Sequence, residues 1–181
     1  MGCMGQPSMN YDDYRKEKSD KGNKFEDYVY PILCKEWGVK FTPYKTKYQQ
    51  YNVGENSFGI EIKFDEKSIN SPNLYIETEE KSDPSLLSFS KSGIYRKDNS
   101  WLYLIGNYDI FYIFLKKRLK DLHNSNKYDE VETKTSQGFL IPQAEAVNLA
   151  LDVINISRDQ DIFDPLEKHD WMNLDEIHSS N

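Results

Sequence analysis

The pattern of apolar and polar positions predicts a first helix that starts at Asn23. Apolar side chains recur at helical spacing through this segment, at Phe25, Val29, Leu33 and Trp37. Asn23 and Glu26 have the spacing of a capping box, which is typical of a helix start. Gly38 is expected to end the helix, and Pro31 to kink it or divide it into two pieces. The polar residues 1–20 are expected to form an arm or a short helix.

Alternating apolar and polar residues predict two strands, Phe58 to Glu66 and Asn73 to Lys81, joined by a turn over residues 68–72. Alternate residues of a strand share a face, so each strand has an apolar face and a charged face. The charged faces carry Glu61, Lys63 and Asp65 on the first strand, and Tyr75, Glu77, Glu79 and Lys81 on the second. A hairpin that buries both apolar faces together places Glu61 opposite Glu77.

The rest of the pattern predicts strands and helices that alternate along the chain. Apolar runs indicate buried strands over 101–105 and 110–115, followed by a short basic helix over 116–123. A polar loop is expected over 124–137. The next helix is expected to start at Pro142 and to continue through these apolar residues: Ala146, Leu149, Val153 and Ile154. This order of elements predicts an α/β fold, with a central mixed β-sheet flanked by helices.

Charge is distributed unevenly, which predicts a domain over 21–156 and a separate acidic tail over 157–181. The net charge is −7, and the tail carries −5 of it, from seven acidic and two basic residues. The acidic total argues against a general nucleic-acid coat protein, but a nearly neutral domain can bind DNA through a local patch. No apolar run suits a membrane helix or a signal sequence, so we expect a cytoplasmic protein without membrane contact. Cys3 and Cys34 provide neither a disulfide framework nor a zinc set.

The charged face of the predicted hairpin is crowded with carboxylates. Like charges directly opposite each other on neighbouring strands destabilise a sheet. A hard divalent cation such as Mg²⁺ would turn this repulsion into coordination, because it prefers oxygen ligands. Such an ion activates water and stabilises the leaving oxygen in phosphodiester cleavage, while a nearby lysine orients the water or neutralises developing charge. An ordinary solvent-facing sheet has the same alternation, so the pattern alone leaves both interpretations open.

Four segments resemble PD-(D/E)XK nucleases in their order and spacing: KGNKFEDYVYPIL, FGIEIKFDE, NLYIETEEK and SGIYRKDNSW. The resemblance covers residues 21–122 and is strongest to phage and restriction-type members. It implies a restriction-endonuclease-like core and Mg²⁺-dependent cleavage of the DNA backbone, with Mn²⁺ as a substitute and a homodimer as a possible assembly. It also implies a helix glutamate next to the metal site. That residue is Glu26, although capping of the helix explains it equally completely.

The sequence departs from the family's usual motif on the second strand. The family has an acidic residue on one strand and Glu-x-Lys on the next, whereas Glu79 stands here in the lysine position. In one arrangement Glu61 or Asp65 is the leading acid, Glu77 is the second metal ligand and Lys63 supplies the amine. In the other, Glu61 and Lys63 form the Glu-x-Lys pair themselves, but residues 41–53 contain no upstream acid. We prefer the first arrangement, with Glu79 as a further candidate ligand.

Candidate DNA contacts lie in three places in the sequence. These residues are Lys45 and Lys47 in a predicted strand and loop over 39–53, Ser92 and Arg96 near a Ser-Gly turn, and Lys116 and Lys117 in the basic helix. For the last two pairs, an ordinary turn and a solvated helix face are the more common explanations. The missing Glu-x-Lys keeps a second interpretation open, a non-catalytic nuclease-like module of phage or mobile-element origin that binds DNA or protein. The acidic tail, finally, either extends into solvent or covers the basic patch.

Overall fold

In the computed structural model, the described residues are 11–44, 46, 48, 49, 53, 54 and 56–156. They form an α/β fold with a mixed β-sheet flanked by helices. The helices are α1 (Tyr11–Trp37), α2 (Lys116–Asn124) and α3 (Gln143–Leu149). The strands are β1 (Ile60–Phe64), β2 (Asn73–Glu80), β3 (Ser90–Lys91), β4 (Leu102–Gly106), β5 (Ile110–Leu115), β6 (Glu130–Glu132), β7 (Ser136–Pro142) and β8 (Asp152–Asn155). Short 3-10 turns cover Glu66–Ile69 and Gly93–Tyr95.

The strands form two four-stranded sheets. The first sheet has the order β1-β4-β5-β8, in which β1 and β4 are parallel and the other neighbours are antiparallel. The second sheet has the order β3-β2-β7-β6 and is antiparallel throughout. None of the described helices is long and apolar enough to cross a membrane.

The hairpin predicted between β1 and β2 is wrong, because the two strands belong to different sheets. Glu61 lies beside Tyr103 of the parallel neighbour β4, and not opposite Glu77. The connection between the strands explains the separation. Asp65 accepts the backbone N–H of Ser68 at 3.3 Å and that of Tyr75 at 3.1 Å, so its carboxylate fixes a 3-10 turn that redirects the chain. Alternation along a strand specifies its faces, but it does not specify its partner.

Helix α1 begins at Tyr11, so the predicted start at Asn23 and its capping box are wrong. The helix also crosses the boundary that was predicted between the polar arm and the domain. Its charged first half gains support from side-chain pairs such as Glu17–Lys21, whose charged groups are 3.1 Å apart. The helix continues through the exposed Pro31 and ends before Gly38, which has a φ of +62° as predicted for a helix stop.

The structure confirms some of the other predicted elements and contradicts others. Strands β4 and β5 and helix α2 are confirmed. The predicted polar loop over 124–137 contains β6 and the start of β7, and Val153 and Ile154 lie in β8 instead of continuing α3. Their β-branched side chains suit the strand. Within the described part of 39–53, the only bridge is an isolated one between Pro43 and Asn56, so the strand predicted there is wrong for those residues.

The core has two parts, one on each face of the first sheet. Phe25, Val29 and Leu33 of α1 are fully buried against the face that carries Ile60 and Ile62. The opposite face, with Tyr103 and Ile105, packs against the second sheet and against residues of α2 and α3. Because side chains alternate along β1, Glu61 and Lys63 lie on this second face, between the two sheets.

Candidate functional site

The candidate site is built around Glu61, whose carboxylate is almost completely buried. Its side chain is 1% exposed, in a strand whose neighbours Ile60 and Ile62 are also buried. Two ammonium groups approach the two carboxylate oxygens: Lys63 Nζ lies 3.1 Å from Oε1, and Lys116 Nζ lies 2.8 Å from Oε2. These contacts are ion pairs, because neither oxygen accepts a well-angled hydrogen bond within the described part of the chain. Pairing with two cations offsets much of the cost of burying a carboxylate.

Lys63 connects Glu61 to a second carboxylate. Its Nζ lies 4.0 Å from Oε1 of Glu77, so one ammonium group sits between carboxylates from two different sheets. The side chains of Lys63 and Glu77 are 34% and 21% exposed, which makes this the open side of the cluster. The cluster is therefore nearest to solvent at Lys63 and Glu77, while Glu61 lies behind them.

The 3-10 turn at Gly93–Tyr95 and the residue before it, Ser92, together form the Ser92 turn, which holds Glu77 in place. The hydroxyl of Ser92 donates to Oε1 of Glu77 at 2.9 Å, and the backbone N–H of Ser92 donates to the carbonyl of Thr78 at 3.0 Å. Gly93 follows with a φ of +49°, and a Cβ there would come within 2.1 Å of the Glu77 carbonyl oxygen. Only a glycine permits so close an approach, so the turn and β2 meet backbone to backbone.

Burial and charge together determine the protonation of Lys63. Burial lowers the pKa of Lys63, but the neighbouring carboxylates of Glu61 and Glu77 outweigh it and hold the pKa well above the ordinary 10.5. Lys63 is therefore a cation at neutral pH. Burial also raises the pKa of the neighbouring Tyr103 phenol well above its ordinary 10.0, so this group remains neutral.

Behind Glu61 lies a second group of buried polar side chains. Lys116, with 4% of its side chain exposed, reaches Oγ of Ser100 at 2.6 Å and Oδ1 of Asp98 at 3.4 Å. The Asp98 side chain is fully buried and accepts the backbone N–H of Ser100 at 2.9 Å. Arg96 approaches Oδ2 of Asp98 at 3.3 Å. Three carboxylates (Glu61, Glu77 and Asp98) thus alternate with three cations (Lys63, Lys116 and Arg96) through the cluster.

Three residues that the sequence suggested as ligands or catalysts lie elsewhere. Asp65 is occupied by the 3-10 turn, and burial raises its pKa although the backbone N–H groups of Tyr75 and Ser68 oppose that rise. Glu79 forms an ion pair with Lys91 of β3, beyond a bulge that separates it from Glu77. Glu26 belongs to α1, which packs on the face of the first sheet opposite Glu61.

The residues suggested as DNA contacts lie in different places. Ser92 and Lys116 belong to the cluster, where Lys116 is too deeply buried to meet a phosphate. Arg96 has 23% of its side chain exposed and approaches Asp98, and Lys117 is exposed on α2. The two other candidates, Lys45 and Lys47, lie outside the described residues.

Sequence reasoning missed Asp98, Ser100 and Tyr103 as members of the cluster. The Asp98-x-Ser100 spacing is typical of a local turn, in which a carboxylate accepts the N–H two residues later. That pattern carried no indication that the turn faces Glu61. Tyr103 stands in an apolar run and was expected to be buried, but its position beside Glu61 depends on the parallel pairing of β1 with β4.

Two carboxylates of the cluster are the candidates for holding a divalent cation. Within residues 11–44, 46, 48, 49, 53, 54 and 56–156, no group of three His, Cys, Asp or Glu side chains is arranged to hold a metal ion. Mg²⁺ often uses only one or two protein carboxylates and takes its other oxygens from water and phosphate. Glu61 and Glu77 are the two carboxylates of the cluster that could hold such an ion, and an incoming cation would have to displace the Lys63 ammonium group that lies between them.

Comparisons with known proteins add no family assignment. No protein-family model, curated protein or solved structure matches this chain.

Proposed function

We propose that this chain is a Mg²⁺-dependent nuclease that hydrolyses phosphodiester bonds of DNA, with a core of the PD-(D/E)XK type. One observation carries the proposal: Glu61 and Glu77, although they lie in different sheets, converge on Lys63 at a part-exposed position. Two carboxylates and a lysine are the side-chain types that the resemblance requires. The predicted hairpin is wrong, and the three side chains come together because β1 and β2 lie in two sheets that pack against each other.

Each residue has a distinct role in this proposal. Glu61 and Glu77 would hold the cation, with Mn²⁺ able to replace Mg²⁺. A cation held there would supply Lewis-acid activation of a water molecule and would stabilise the leaving oxygen. Lys63, whose ammonium group faces both carboxylates, would donate hydrogen bonds to a phosphate oxygen. Ser92 keeps Glu77 oriented through its hydroxyl group.

Substrate binding would depend on exposed cationic side chains. Exposed lysines such as Lys117 are suited to phosphate contacts, which position DNA without reading its sequence. Cleavage of both strands of a duplex calls for two such sites, which is the reason a homodimer belongs to the proposal.

A second candidate function is a non-catalytic module that binds DNA or protein. The charge balance of the cluster favours it, because Glu61, Glu77 and Asp98 already have cationic partners without a metal ion. In this alternative the ion pairs only stabilise the fold, and the resemblance to nucleases reflects descent without activity.

Incubation of purified protein with supercoiled plasmid separates the two candidates. The proposed nuclease nicks or linearises the plasmid with Mg²⁺ or Mn²⁺ and does nothing in EDTA. Binding without cleavage under all three conditions would select the module. Gel electrophoresis of the plasmid, with a mobility-shift assay in parallel, provides both results.

A further inference from the structure

We propose that Lys116 is a positioning residue that fixes Glu61 for cation binding, and that Lys63 is the ammonium group that gives way to the cation. This inference rests on the proposed function, since it assigns separate roles to the two lysines that contact Glu61. Neither role follows from the sequence, in which Lys116 resembled a surface residue of a basic helix.

The surroundings of Lys116 leave it no access to solvent. It is the first residue of α2, and its backbone N–H donates to the carbonyl of Trp101 at 2.9 Å, which anchors its main chain to the start of β4. Its ammonium group is enclosed by oxygens of Glu61, Ser100 and Asp98, at 2.8, 2.6 and 3.4 Å. Moving this group would take the nearest cation away from Oε2 of Glu61 and Oδ1 of Asp98, two oxygens of buried side chains, which is unfavourable.

The partners of Lys116 are themselves fixed. The carboxylate of Asp98 accepts both the backbone N–H and the hydroxyl group of Ser100, and its side chain is fully buried. Asp98 and Ser100 therefore hold the lysine, and the lysine holds Oε2 of Glu61. Chains of hydrogen-bonded groups behind a metal ligand orient that ligand in many metal sites.

Lys63 stands in contrast to this arrangement. A third of its side chain is exposed, and it contacts Oε1 of Glu61 and Oε1 of Glu77, the two carboxylates that would bind the cation. A cation that enters between these carboxylates competes with the Lys63 ammonium group for the same oxygens. It does not compete with Lys116, which lies on the other side of Glu61.

Binding of Mn²⁺ in the absence of DNA tests the two roles without depending on activity. We expect Lys116→Met to weaken Mn²⁺ binding roughly 10-fold or more, the usual effect of removing a group that orients a ligand. We expect Lys63→Met to bind Mn²⁺ at least as tightly as the original protein, because a competing cation has been removed. Lys134→Met, at an exposed position in the β6–β7 turn, is the matched control. Titration followed by electron paramagnetic resonance gives the dissociation constants.

Ser100→Ala is a second test of the role of Lys116, which is needed if Lys116→Met does not fold. This substitution removes the 2.6 Å hydroxyl partner of Lys116 but leaves every charge in place, and we expect a smaller loss of Mn²⁺ affinity in a folded protein. Circular dichroism establishes folding for each variant. Equal Mn²⁺ affinity in the original protein, folded Lys116→Met and Ser100→Ala would overturn this inference alone. A failure of the original protein to bind Mn²⁺ would overturn the proposed function, and with it this inference.

Discussion

Individual side chains in this protein have protonation states set by where the fold places them. Lys63 and Tyr103 are neighbours on the face of the first sheet that packs against the second sheet. The Lys63 ammonium group retains its proton because Glu61 and Glu77 outweigh its burial. The Tyr103 phenol retains its proton because burial disfavours the phenolate. Both groups therefore bind a proton more tightly in the folded state than in the unfolded chain.

A raised pKa in the folded state makes stability fall at alkaline pH. An unfolded tyrosine loses its proton near pH 10.0, whereas Tyr103 in the folded state keeps its proton at higher pH. The contribution of the protonated Tyr103 to stability is therefore complete below pH 10.0 and declines above it. We predict that Tyr103→Phe reduces the decline of the free energy of unfolding between about pH 9 and 11. Urea denaturation at several pH values measures the effect. If the free energy of unfolding of Tyr103→Phe declined as steeply with pH as that of the original protein, the argument that burial holds the Tyr103 proton would be contradicted.

At the scale of elements, the Ser92 turn and strand β2 form the part of the site that the sequence specified best. The Ser-Gly pair indicated a turn, and the alternation over residues 73–81 indicated the strand. Their contact could not be predicted, because it depends on which strands pair. Strand β2 joins β7 and β3, and the shift of register between Glu77 and Glu79 separates two glutamates that the sequence treats alike.

Gly93→Ala tests the contact between the turn and β2. The new Cβ would lie 2.1 Å from the Glu77 carbonyl oxygen at a φ of +49°, so the turn must move away from Glu77. We predict a loss of roughly 2 kcal/mol or more in the free energy of unfolding, in the range of strained backbone positions, together with weaker metal-dependent cleavage.

Gly22→Ala is the matched control for that substitution. Gly22 lies within α1 and a Cβ there would meet nothing within 4 Å. An alanine inside a helix should therefore raise the free energy of unfolding by roughly 0.5–1 kcal/mol. Urea denaturation of both variants measures the pair, and a Gly93→Ala protein as stable as the original would contradict the close packing at Glu77.

At the scale of the whole molecule, the sequence indicated the fold class and most strands but not their arrangement. Local patterns reveal that β4 and β5 are buried and that α1 has an apolar stripe. The parallel pairing of β1 with β4 and the division into two sheets depend on contacts between distant segments. For that reason Asp98 and Lys116 were not recognised as parts of the cluster around Glu61. Glu61, Lys63 and Glu77 come together between two sheets and not in the hairpin that the pattern predicted.

The acidic tail leads to a prediction about the whole chain. Residues 158–181 carry −5 of the net charge of −7, and negative charge near a DNA site repels the phosphate backbone. We predict that deletion of these residues raises affinity for a short DNA duplex, with the larger gain at low salt where charges are less screened. Fluorescence anisotropy in EDTA measures binding without cleavage. Unchanged affinity at every salt concentration would remove the hypothesis that the tail covers a basic patch.

The central claim is that Glu77 and Glu61 hold a catalytic cation, and Glu77→Ala tests it most directly. Glu80→Ala is the matched control, because Glu80 lies on the same strand at an exposed position. Both variants should retain the circular dichroism spectrum and unfolding transition of the original protein. Cleavage of plasmid DNA with Mg²⁺ should disappear in Glu77→Ala and persist in Glu80→Ala. Full cleavage by Glu77→Ala would contradict the account.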